Sequence, residues 1–164
     1  MWPSIIAVAG TLAGVALASL TQHAVHARDR RERQQQAVAD AVAGLLAAAL
    51  TYREVFWLQL AAARDGHTPG PEDRAAIYSA RTAVTGARDR LGLATADPGV
   101  ILAADEAAWS AIELSDIPLG RPDGAGRFTP DIEQQLDTAR TRARNAHTAL
   151  RNVGAAHVHL HRTR

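Results

Sequence analysis

The 164-residue chain carries 18 basic residues, all arginine, against 17 acids, a net charge of +1, and no cysteine. A charge so balanced gives no global pull toward nucleic acid, and without cysteine there are no disulfides, thiolate zinc sites or thiol nucleophiles. The length allows one domain of ordinary size plus an anchor, and a composition rich in alanine, leucine and arginine but poor in aromatics favours helix over strand.

No charged side chain occurs from Trp2 to Ala27. A span needs about 20 apolar residues to cross ~30 Å of hydrocarbon. Residues 2–20 supply that many, with Ser4, Thr11 and Ser19 as mild interruptions. Residues 1–27 therefore read as a transmembrane anchor, with Trp2 at the interface and Pro3 in the first turn. Two competing readings are a buried soluble helix and a cleaved signal peptide. For the latter, Ala16 and Ala18 offer a small-residue site, but the run lacks a positive charge before it.

Arg28, Arg30, Arg31 and Arg33 follow at once, diluted by Asp29 and Glu32, in a basic juxtamembrane segment of residues 28–36. The positive-inside bias puts the N-terminus outside and the body in the cytoplasm. The same four arginines are candidates for lipid headgroup contact. Ala7, Gly10, Gly14 and Ala18 form a small-residue face along which two spans can pair. His23 and His26 share a helix face and read as two interfacial polar residues.

Residues 37–164 read as a cytoplasmic bundle with helices at about 37–64, 71–93, 98–115 and 130–158. In the first, Val38, Val42, Leu45, Ala49, Tyr52 and Phe56 alternate steps of four and three, the seam of a packed helix. Leu46, Leu50, Trp57 and Leu60 widen its apolar band. No proline stands between Pro3 and Pro69, so the span and this helix are expected to be one. Asp65-Gly66 stops it, and Pro71, with Glu72 and Asp73 behind it, opens the second helix. Arg74, Arg81 and Arg88 recur every seventh residue there and read as a solvated face.

Asp97-Pro98 reads as an N-cap and N1 pair opening the third helix. Its apolar side is expected to include Ile101, Leu102, Ala104, Ala108, Trp109 and Ile112. Asp105 and Glu106 are adjacent and so point apart, which makes them a poor acid–base pair. Residues 117–129, with two prolines and three glycines, exclude regular structure and read as a loop that is either functional or mobile. Thr129-Pro130 opens the fourth helix, whose seam runs Ile132, Leu136, Ala139, Ala143, Ala146, Leu150 and Val153. Its arginines, Arg140, Arg142, Arg144 and Arg151, are expected to spread around the outside. His157, His159 and His161 alternate, which suits a metal ion only in an extended tail.

The expected fold is all-α: one N-terminal transmembrane helix continuing into an antiparallel four-helix bundle. The uncharged N-terminal run, the stretch RDRRER and the Ala/Arg-rich helices resemble, in layout and composition, small membrane-anchored helical proteins of high-GC actinobacteria, some of them plasmid- or phage-borne. That resemblance carries no motif, so no residue's role follows from it. No constellation of nucleophile, base and orienting group stands out, and no catalytic, cofactor-binding or metal residues are assigned. The expected function is a membrane-anchored interaction or scaffold protein, with the bilayer and another protein as partners. Self-association is a candidate, and nucleic acid is disfavoured. The alternative is a holin- or pore-like membrane-active oligomer built on the small-residue face.

Overall fold

The computed structural model describes the backbone of residues 2–162 and, within it, the side chains of His26 and of residues 28–158. Four helices make up the fold: α1 (Trp2–Arg64), α2 (Pro71–Ala94), α3 (Pro98–Ile112) and α4 (Pro130–Arg162). A 3-10 turn, Glu113–Asp116, follows α3, and among the described residues there is no strand. The chain divides into two compact units, Met1–Gln36 and Ala37–Arg164.

In the first unit the backbone is helical from Trp2 onward, and α1 has no break before Arg64. Nothing in that stretch removes a backbone donor after Pro3. Arg28 donates from Nε to Glu32 at 3.0 Å, an exposed pair one turn apart. Arg30, Arg31 and Arg33 are exposed, as is His26. The side chains of Ala7, Gly10, Gly14, Ala18 and His23, named above as pairing or interfacial residues, lie outside the described residues.

The second unit has its own core. On α1 the four-three seam is buried from Val38 through Tyr52 to Leu60. It meets Val84 and Leu91 of α2, Val100 and Ala104 of α3, and Ala146 and Leu150 of α4. Alanines at the α3 and α4 contacts let the helix axes approach closely. Tyr52 is wholly buried, and its hydroxyl donates to the Ile112 carbonyl at 3.3 Å, at the end of α3. Burial raises the Tyr52 pKa above its ordinary value.

Three contacts set α1 and α4 antiparallel. Arg64 pairs with Glu133 at 2.6 Å. Arg140 lies over the Trp57 ring, 5.4 Å from its centroid. Gly154 packs on Val42, whose Cγ1 would stand 2.9 Å from a Cβ at position 154. Gln59 donates to the Asp73 carbonyl and joins α1 to the start of α2. Asp73 in turn accepts from the Gly70 N–H at 2.7 Å and satisfies one donor at that helix end.

By length and composition, α1 contains a stretch apolar enough to cross a membrane: an 18-residue window within Arg28–Arg64 has a mean hydropathy of 1.3. That stretch is distinct from the 2–27 run, and the same residues supply the bundle's core face, which a helix in a soluble core shares with a span.

Three expectations are corrected. Leu50 does not widen the packed band of α1; it is 54% exposed. On α3, Leu102 is 72% and Trp109 41% exposed, because the buried arc is filled by Val100, Ala104, Ala107, Ala108 and Ala111 and those two fall outside it. Regular α-helix there stops at Ile112 and tightens into the 3-10 turn, which buries Leu114. Residues 117–129 hold no helix or strand, as expected, and pack onto the bundle. Phe128 is buried against Phe56, Leu60, Leu114 and Leu136 in a second apolar cluster, with Ile117 and Leu119 packed beside it. The Asp123 carboxylate accepts from the Ala125 and Arg127 N–H groups at 2.9 and 2.8 Å. Gly126, at φ +72°, lets the backbone approach the Arg64 carbonyl, 2.8 Å from where a Cβ would stand.

Candidate partner-binding faces

The bundle's charges divide into those neutralised between helices and those left over. On α3, Asp105 and Glu106 do point apart. Asp105 takes Arg88 of α2 at 2.7 Å, and Glu106 takes Arg142 of α4 at 2.8 Å. Arg142 also reaches Glu113, two turns on from Glu106, at 2.6 Å. One guanidinium thus closes the α3/α4 seam against two carboxylates, with Glu106 held below and Arg142 above their ordinary pKa values by that pairing. Arg88 lies 6.0 Å from the centroid of the exposed Trp109 ring. The every-seventh arginines of α2 are therefore not all solvated: Arg88 is bound in, while Arg81 stays exposed.

Asp97 caps α3 as its sequence position implies, accepting from the Gly99 and Val100 N–H groups at 2.8 and 3.2 Å. Its other oxygen lies 3.1 Å from His157 Nδ1 on α4. Those backbone N–H groups, Val100 first, and His157 hold the Asp97 carboxyl below its ordinary pKa. The sequence shows the cap but not the histidine, 60 positions away. The end of α4 is helical to Arg162, so alternate residues diverge there. His159 and His161 lie outside the described side chains, and no group of three metal-ligating residues occurs among the described residues.

The α4 arginines are all exposed, as expected, and do not share one stripe. Arg142 faces α3, but Arg140, Arg144 and Arg151 fall with His147 on one stripe, at steps of four, three and four. That spacing is visible in the sequence once His147 is counted with the arginines. Facing it on α1 is Arg53. Burial, then Arg144 and Arg140, lower the Arg53 pKa; burial, then Arg53 and Arg151, lower that of His147.

Comparison with known proteins places this architecture. The family model of the KilB plasmid transfer protein matches residues 39–158. The chain belongs to that family. Protein KilB of Streptomyces lividans is 34% identical over 87 residues, which cover 52% of this chain and 59% of that protein. The chain thus aligns with little more than half of that relative's length. No solved structure matches. A plasmid-borne protein of actinobacterial type agrees with the resemblance in composition and layout, and the family is not named for an enzyme activity.

Proposed function

We propose that this chain serves plasmid transfer as a non-catalytic, membrane-anchored interaction protein. Its bundle binds another protein, and the apolar run of residues 2–27 holds it at the cell membrane, N-terminus outside and body in the cytoplasm. The observation that carries this reading is the agreement of two spans. The family match covers residues 39–158, and the compact second unit is Ala37–Arg164. What the chain shares with transfer proteins is therefore the helical bundle, a body that presents surfaces. Support for partner binding comes from Leu102 and Trp109, an exposed leucine and an aromatic two turns apart on α3. The uncharged run and the four arginines after it support the anchor and its orientation.

Cell fractionation and transfer frequency test the reading together. The full-length protein is expected with the membranes, and a variant lacking residues 2–27 in the soluble fraction. In a donor whose plasmid lacks the coding sequence, the full chain is expected to restore transfer and the truncated variant to fail. A full-length protein that stays soluble overturns the anchor, and restored transfer by the variant overturns the need for it. Release of dye from vesicles by the purified protein would replace this reading with a membrane-active oligomer.

A further inference from the structure

One group of cations in the bundle makes no ion pair among the described residues. Arg140, Arg144, His147 and Arg151 form a stripe beside the buried Ala143, Ala146 and Leu150 of α4. The pairs Arg64 with Glu133, Trp57 with Arg140, and Val42 with Gly154 define the α1/α4 register. Each step back along α1 matches a step forward along α4, which brings Arg53 opposite Arg144. Arg53 Nε and His147 Nδ1 are both buried without a hydrogen-bond partner. Among the described residues, ion pairs engage Arg64, Arg88 and Arg142, but none engages Arg53, Arg140, Arg144 or Arg151. Arg53 and His147 are half-buried beside the exposed Arg140, Arg144 and Arg151; like charges there repel, and a guanidinium nitrogen taken out of water needs a partner.

We propose that this α1/α4 seam is an oxyanion site that takes a phosphate group between Arg53, Arg140 and Arg144, with His147 at its edge. The planar guanidinium forks suit phosphate oxygens. Three neighbouring cations match the double charge of a phosphate monoester better than the single charge of a carboxylate. The Trp57 ring beneath Arg140 holds one jaw in place. The phosphate belongs to a soluble phosphate compound or a lipid headgroup. The chain's net charge of +1 offers duplex DNA no wider basic field around these few residues. The site does not depend on the role in transfer.

Titration calorimetry on the full-length protein in an uncharged detergent at low salt tests it, with inorganic pyrophosphate as the first probe. Saturable binding is expected, about tenfold weaker in Arg53→Gln and in Arg144→Gln. Arg121→Gln, an equal loss of charge on an exposed loop, should bind as the parent does. Arg144 is exposed, so its variant keeps the test sound if Arg53→Gln fails to fold. In the parent protein, pyrophosphate should also raise the His147 ring pKa, read by NMR against His147→Gln. Dihexanoyl phosphatidic acid below its micelle concentration separates the sources. Tighter binding than pyrophosphate assigns a lipid headgroup, and weaker binding a soluble phosphate. Equal affinity of Arg53→Gln and Arg121→Gln for pyrophosphate overturns the site, as does the absence of saturable binding to either probe. A duplex oligonucleotide bound with equal losses in all three variants, in place of pyrophosphate, also overturns it.

Discussion

At the scale of single residues, the bundle spends its polar groups where helices meet. The Tyr52 hydroxyl donates to the Ile112 carbonyl at the end of α3, which also accepts from the Ser115 hydroxyl at 3.0 Å. His147 is the less comfortable case. Its ordinary pKa of 6.5 is lowered in the fold by burial and by Arg53 and Arg151. A histidine so depressed binds its proton more weakly in the native than in the unfolded chain. As pH falls through 6.5 toward the folded value, the unfolded chain takes up the proton first and stability drops. Above that window the effect is absent. Urea midpoints of the parent are expected to fall on acidification across this window, and those of His147→Gln to fall less. The charged groups that act on this ring are Arg53 from α1 and Arg151 from α4. An equal fall in both proteins would place the proton uptake elsewhere.

At the scale of elements, the α1/α4 pair depends on a glycine whose neighbour is stiff. A Cβ at Gly154 would lie 2.9 Å from Val42 Cγ1 and 3.3 Å from Cγ2, and a valine has little rotamer freedom on a helix. Gly154→Val should therefore cost about 1–3 kcal/mol by overpacking. Val42→Ala made in the same chain should return part of that loss, because the two sites share one contact. Additive losses in chemical denaturation would show that the residues do not touch. At the opposite end of the pair, Arg64 and Glu133 are joined at the surface, and Glu133 also accepts from the Phe128 N–H at 3.1 Å. The element ends are thus held by caps and ion pairs, and the Gly154–Val42 approach is one of the three contacts that define the register.

At the scale of the whole molecule, the core clusters draw, among the described residues, only on those from Val38 onward. A fragment of residues 37–164 should therefore fold by itself. It is expected to show helical circular dichroism and one cooperative thermal transition near that of the full chain in neutral detergent. A non-cooperative melt would mean that the first unit contributes to the core.

Much of this architecture is legible without coordinates because the rules behind it are local. Pro71, Pro98 and Pro130 open helices because a missing N–H costs nothing at N1. Asp97 caps because its carboxylate reaches N–H groups two and three residues on. The four-three seams of α1 and α4 declare an all-α fold because a helix repeats its face every seven residues. Exposed Leu50, Leu102 and Trp109 escape such reading, since an apolar residue at the edge of a seam is buried only if a neighbour happens to reach it. The packing of residues 117–129 is equally hidden: Phe128 packs on residues of α1, the 3-10 turn and α4, contacts that no short window contains. By itself, then, the sequence determined where the helices begin, the buried seams of α1 and α4 and the position of an uncharged apolar run. Only the tertiary structure decided which arginines find carboxylates and which gather unneutralised, because the partners of Arg142 and Arg88 stand 17 to 36 residues away and meet them through packing.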